Sequence, residues 1–160
     1  LAAGELKAKK ERSGRIEKLL AALAKEPIEI YAVIIDQEAL ERRPNDPEDV
    51  YRWAVARLAA KIVRRHPAVE FILDRRYTKQ GLRYLLEKAI REQLVSLPQR
   101  YVMVRQEDSL ACKELQAVDF IAWAFFQKYE RNDSRYYDRI AALVVEEELV
   151  SKPVWERSQA

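Results

Sequence analysis

The chain has 160 residues, of which 49% are apolar and 34% are charged. This length and composition predict one folded domain with a hydrophobic core over residues 1–150, followed by a loose polar tail at 151–160. The longest apolar run is too short to cross a bilayer, and the start does not resemble a signal peptide, so we expect a cytoplasmic protein without a membrane partner. The abundance of ionic residues and the scarcity of Asn favour a thermophilic origin.

Scarce residue types exclude several classes of chemistry. Cys112 is the only cysteine and His66 the only histidine, which excludes an internal disulfide and the usual Cys/His zinc site. His66 follows two arginines and precedes a proline, and we interpret it as a solvated residue at a helix end. The three glycines form no Walker or dinucleotide fingerprint, so a nucleotide-binding enzyme is not expected.

The first half of the chain predicts a helix, a strand and a second helix. Residues 15–24 carry leucines and an isoleucine at helical spacing. Residues 28–35 are β-branched and apolar, which is typical of a buried strand, and Asp36 follows directly. After a polar loop at 38–45, Asp46 and Pro47 suit the start of a helix that extends to residue 65.

The second half repeats this alternation. Residues 69–73 predict a strand that Asp74 follows, and residues 78–97 predict a helix. A third strand is predicted at 101–104. Asp108 or Ser109 suits the cap of a long helix that extends to residue 130. A last helix is predicted to begin at 132–134, with four inward side chains: Tyr137, Ile140, Ala141 and Val144.

Because strands alternate with helices, we expect an α/β fold with a mostly parallel sheet of about three strands flanked by helices. Parallel strands all end at the same edge of a sheet, where sites in such folds lie. Asp36, Asp74 and Asp108 would project at that edge. Asp119 lies in the apolar run 115–126, which predicts a buried helix and therefore a carboxylate that requires a cation.

Converging carboxylates repel one another unless they are protonated or bound to metal, and Mg²⁺ or Mn²⁺ suits such oxygen ligands. These ions activate water for phosphodiester cleavage without histidine or cysteine. Each residue has a structural alternative. Asp36 and Asp108 also fit turn formers or caps, Asp74 fits an ion pair with Arg75 or Arg76, and Asp119 fits a pair with a buried Arg. The basic residues Arg75, Arg76 and Lys79 fit either phosphate contacts or a solvated face.

The segment Asp108-Ser109, followed by residues 115–122 (LQAVDFIA), resembles the "DS…LQxAD" ending of domain-of-unknown-function family 3800, a relative of the ribonuclease H-like superfamily. Three weaker elements lie earlier in the chain, in the order that the family has them. Glu5-Leu6-Lys7 resembles "ELK", residues 30–36 resemble "yavvvD", and residues 71–75 resemble "viiDr".

The resemblance implies a ribonuclease H-like fold and a metal-dependent nuclease or resolvase-like activity on DNA or RNA. It implies Asp74 and Asp119 as metal ligands with Glu5 as a third carboxylate, while Gln116 and Lys7 would have supporting roles. Members of the family usually open with a strand that carries an Asp-Glu-Ser element, and nothing before Glu5 corresponds to it. We therefore expect a chain that lacks this strand, with an exposed sheet edge that favours homo-oligomers.

Two other interpretations remain open at this stage. A non-catalytic interaction domain would retain the scaffold and neutralise Asp119 with a protein cation. An unrelated acidic-cluster nuclease of Rossmann-like topology would share the chemistry but differ in strand order.

Overall fold

The computed structural model describes residues 8–36 and 47–150. Helices and strands alternate through most of this part of the chain. The helices are α1 (Ser13–Leu23), α2 (Pro47–Arg65), α3 (Gln80–Leu94) and α4 (Lys113–Arg131). The strands are β1 (Ile30–Ile35), β2 (Ala68–Asp74), β3 (Tyr101–Glu107) and β4 (Val144–Val150). The predicted α/β class is confirmed, whereas the predicted loop at 38–45 lies outside the described residues.

The four strands form two sheets of two strands each within the described residues, β1 with β4 and β2 with β3. At the start of the β2–β3 pair, the backbone N–H of Tyr101 donates to the carbonyl oxygen of Pro67 at 3.2 Å. At the other end, the N–H of Arg75 donates to the carbonyl oxygen of Glu107 at 2.8 Å. Residue numbers increase in the same direction along both strands between these two bonds, so β2 and β3 are parallel, as predicted.

Strand β4 replaces the last helix that the sequence predicted. Asn132 ends α4 in the left-handed conformation with φ 54°, which Asn tolerates better than most residues. Two 3₁₀ turns follow, Tyr137–Arg139 and Ala141–Leu143, before β4 begins at Val144. The prediction of a helix that buries Tyr137, Ile140, Ala141 and Val144 on one face was therefore wrong. Val150, at the far end of β4, packs against Val33 and Ile35 of β1, and this tertiary contact outweighs the helical tendency of the three glutamates.

Ionic contacts fasten β4 to α2. The guanidinium of Arg57 donates to both carboxylate oxygens of Glu148, at 2.9 and 2.6 Å. Lys61 forms ion pairs with Glu148, at 2.9 Å, and with Glu146. The hydrogen bonds from Arg57 lower the pKa of Glu148 to about 2, and those from Lys61 act in the same direction. Arg57 also lies 5.3 Å from the centroid of the Trp53 ring, which restricts the guanidinium further.

Backbone contacts divide the described chain into two compact units. The first contains residues 8–30, 72–76 and 105–144, and the second contains 31–36, 47–71, 77–104 and 145–150. In the first unit α1 packs against α4, and in the second α2 packs against α3. The interpretation of 1–150 as a single domain stays a prediction, and the tail at 151–160 lies outside the described residues.

The helices of each unit present their buried faces at helical spacing. In the second unit, α3 buries Leu86, Ile90 and Leu94 completely or nearly so. The facing helix α2 buries small side chains, among them Ala56, Ala59 and Ala60, which allow the two helices to approach closely. In residues 8–36 and 47–150, no helix combines the length and the apolar character that a membrane span requires.

We predict that Leu86→Ala lowers the free energy of unfolding by about 2–5 kcal/mol, because Leu86 is 0% exposed and its truncation leaves a cavity. The matched control is Leu85→Ala on the same helix. Leu85 is 42% exposed, so its truncation is expected to cost less than about 1 kcal/mol. Urea denaturation measures both values, and equal losses would contradict the packing of α3.

We predict that Glu148→Gln destabilises the protein at neutral pH by roughly 1–3 kcal/mol, the usual contribution of a hydrogen bond to a charged group. Folding lowers the pKa of Glu148 from 4.5 to about 2. Its stabilisation is therefore complete above pH 4.5 and is lost as the pH falls towards 2. The difference between the wild type and the variant should shrink across this window in thermal denaturation. Glu92→Gln, which alters an exposed pair with Lys88, is the control and should show little difference at any pH.

Candidate functional site

Asp119 lies on the exposed side of α4, which corrects the prediction that the apolar run around it is buried. The helix buries one face, through Phe120, Ala124 and Phe125. Val118 remains 56% exposed and Phe126 43% exposed. The carboxylate of Asp119 is therefore in contact with solvent, and the desolvation argument for an obligatory cation does not apply to it.

The hydrogen bond from Ala8 to Asp119 joins two segments that are far apart in the sequence. The backbone N–H of Ala8 donates to Oδ2 of Asp119 at 2.9 Å. Ala8 is 1% exposed and opens the 3₁₀ turn Ala8–Lys10, which packs against α4. The start of the described chain is thereby held beside the aspartate. Glu5 and Lys7, which the sequence assigned to the same site, lie outside the described residues.

Asp74 and Asp108 lie at the carboxyl ends of neighbouring parallel strands, as the sequence predicted. Asp74 ends β2 and is exposed, whereas Asp108 follows β3 and is half-buried. Oδ1 of Asp108 accepts a hydrogen bond from the N–H of Leu110 at 2.9 Å, and Oδ2 accepts one from Arg75 at 3.1 Å. The alternative interpretation of Asp108 as a turn former is confirmed. Arg75, one of the predicted phosphate contacts, forms an ion pair with Asp108.

The turn before α4 differs from the predicted cap. Either Asp108 or Ser109 was expected to cap the helix, yet α4 begins at Lys113, and Cys112 occupies the cap position. The N–H of Ala111 donates to the carbonyl oxygen of Asp108 at 3.0 Å, so a separate turn precedes the helix. The side chain of Gln116 closes this turn by donating to the carbonyl oxygen of Ser109 at 2.8 Å. Gln116 supports the loop, one helical turn before Asp119.

Other predicted residues are exposed in the structure. Asp36 follows β1 and belongs to the second unit, whereas Asp74 and Asp119 belong to the first. Arg76 follows Arg75 directly, and Lys79 occupies the position before α3. His66 is exposed directly after α2, as predicted, with a ring nitrogen 3.3 Å from the hydroxyl of Tyr31.

The part of the chain that the structure describes contains no group of three or more His, Cys, Asp or Glu side chains close enough to hold a metal ion. The predicted ligand set of Asp36, Asp74 and Asp119 is not such a group. A site for Mg²⁺ or Mn²⁺ therefore stays a prediction, and one of the residues that the resemblance assigns to it, Glu5, lies outside the described ranges.

A cavity of about 400 Å³ lies between the end of α1 and the beginning of α4. Apolar side chains form most of its wall, including Leu19, Leu23 and Phe120, and Lys113 and Glu26 are its charged members. Sequence reasoning did not find this cavity because leucines at helical spacing equally predict a filled core. Asp74, Asp108 and Asp119 do not line it.

No protein-family model, curated protein or solved structure matches this chain.

We predict that Asp119→Ala lowers the free energy of unfolding by about 0.5–1.5 kcal/mol, because the N–H of Ala8 loses its acceptor. Asp119→Asn should cost less, since the amide oxygen of Asn still accepts this bond. Thermal denaturation of both variants measures the difference. An Asn variant as destabilised as the Ala variant would show that the charge, rather than the hydrogen bond, stabilises the contact.

Proposed function

We propose that this chain has a ribonuclease H-like scaffold and cleaves phosphodiester bonds of DNA or RNA with Mg²⁺ or Mn²⁺. The hydrogen bond of 2.9 Å between Ala8 and Asp119 carries the proposal. Among the motifs that resemble family 3800, the first ends at Lys7 and the last contains Asp119. The contact therefore joins Ala8, the residue after the first motif in the sequence, to Asp119 of the last motif, across 111 positions.

The parallel pair β2 and β3 gives further support. Asp74 is exposed at the carboxyl end of β2, the edge at which α/β folds place their sites. Two arginines follow it directly in sequence, Arg75 and Arg76. An exposed carboxylate with cations beside it suits a site that accepts both a metal ion and a phosphate.

In this proposal Asp74 and Asp119 would bind the metal, and Glu5 would supply a further carboxylate. Gln116 orients the loop before α4, and Lys7 has the supporting role that the resemblance implies. Arg75 and Arg76 would hold the phosphates of the substrate. The metal, when bound, lowers the pKa of a coordinated water and stabilises the leaving oxygen. The chain needs neither its histidine nor its cysteine for this reaction.

We predict that the protein binds Mn²⁺ in calorimetric titration and cleaves single- or double-stranded nucleic acid in its presence. Asp119→Asn should abolish both properties while it retains the acceptor for the N–H of Ala8. Asp74→Asn should reduce both. The control is Asp138→Asn, an exposed aspartate that accepts a hydrogen bond from Ser134, and it should leave both unchanged. Wild-type binding and cleavage in Asp119→Asn would refute the proposal.

A second candidate function is a non-catalytic interaction domain that retains the scaffold. Exposed apolar side chains on α4 favour it, because large apolar residues on one helix face are typical of surfaces that bind other proteins. The titration separates the two candidates. An interaction domain binds no Mn²⁺, and Asp119→Asn leaves its association with partners unchanged.

A further inference from the structure

The exposed face of α4 carries an apolar seam over four helical turns. Val118 is 56% exposed, Phe126 43% and Tyr129 38%. Together with exposed Ala122 and half-buried Leu115, they follow one another at intervals of three or four residues. This spacing is typical of the contact line of a helix that pairs with another helix. We call these five residues the α4 seam.

The seam lies on the opposite side of α4 from the face that is buried in the first unit. Phe120 and Ala124 lie at the centre of that buried face, whereas Phe125, the third buried residue of α4, lies about 60° from Ala122 at the edge of the seam. At about 100° per residue, Ala122 stands about 200° round the helix from Phe120. The packing of α1 against α4 therefore leaves the seam exposed to solvent.

We propose that the α4 seam binds the α4 seam of a second copy of this chain, with the two helices antiparallel and crossing at Ala122. The seam is symmetric about that residue. Val118 and Phe126 each lie four positions from Ala122, and Leu115 and Tyr129 each lie seven. A twofold axis at Ala122 would therefore place a smaller side chain of one copy against a larger one of its partner at each level.

The charges beside the seam select the antiparallel arrangement. Glu114, Ile121 and Lys128 recur at intervals of seven residues along one flank. Antiparallel helices would bring Glu114 close to Lys128 of the partner subunit, because the same flank of each helix then faces the other, whereas parallel helices would keep these two residues apart. The ammonium nitrogen of Lys128 lies 3.6 Å from the centroid of the Tyr137 ring, and this cation–π contact holds the charged end of Lys128 beside α4. The opposed helix dipoles favour the same arrangement.

The small side chain at the crossing point also fits. Ala122 allows the two helix axes to approach closely, so that the larger residues on either side can interdigitate. The association does not depend on the proposed nuclease activity. A copy that binds no metal retains the seam, and a copy with a disrupted seam retains Asp74 and Asp119.

Sedimentation velocity over a dilution series tests this association. We expect a monomer–dimer equilibrium whose Kd rises at least about tenfold in Val118→Asp and in Phe126→Asp, because each places a charge in the apolar contact. The control is Tyr84→Asp on α3, which alters a tyrosine that is 63% exposed, and it should leave the Kd unchanged. A monomer at every concentration, or equal weakening by the control, would overturn the proposal.

Charge reversal provides a second measurement that does not disturb the apolar contact. Glu114→Lys and Lys128→Glu should each raise the Kd, and the double variant should restore it, because the opposite charges again face each other. Circular dichroism verifies that all variants fold. A double variant weaker than either single variant would overturn the antiparallel arrangement.

Discussion

The one-sided burial of α4 is the constraint on which the first unit depends. Phe120 and Ala124 are buried inside the unit, and their burial fixes the orientation of the helix about its axis. In this orientation Asp119 faces solvent and accepts the hydrogen bond from Ala8. Val118 and Phe126 are exposed for the same reason. A rotation of the helix by half a turn would bury the aspartate and expose the phenylalanine that now closes the core. The exposure of the carboxylate and the exposure of the apolar seam thus both follow from the way in which α4 packs.

The sequence predicted the helices and the first three strands because their side chains repeat at clear intervals. Leucines at helical spacing define α1 and α3, and β-branched runs define β1 and β2, so local pattern and tertiary structure agree. It failed at β4, where Glu146 to Glu148 carry little strand signal. The strand is stabilised by the packing of Val150 on β1 and by ion pairs from Arg57 and Lys61 of α2 to two of the glutamates. Contacts between residues so far apart in the sequence leave no trace in a local pattern.

The candidate site shows the same division between local and distant information. That carboxylates follow the parallel strands could be predicted, since strand ends are local features. The degree of burial of Asp119 could not, because it depends on which face of an almost wholly apolar helix meets α1. The role of Asp108 required the structure too, since only the register of β2 with β3 brings Arg75 beside it. Composition limited the possible chemistry more firmly than geometry did. The chain has one histidine and one cysteine, so any catalytic triad for acyl transfer would have to depend on that single histidine.

The position of the single thiol has a practical consequence. Cys112 is half-buried at the residue before α4, and its sulfur lies 3.3 Å from a carboxylate oxygen of Glu114. Since α4 has 19 residues and rises about 1.5 Å per residue, it spans about 28 Å. A spin label attached there would mark one end of the helix without any engineered cysteine. In the proposed dimer, the distance between two such labels, measured by electron resonance, would distinguish antiparallel from parallel helices.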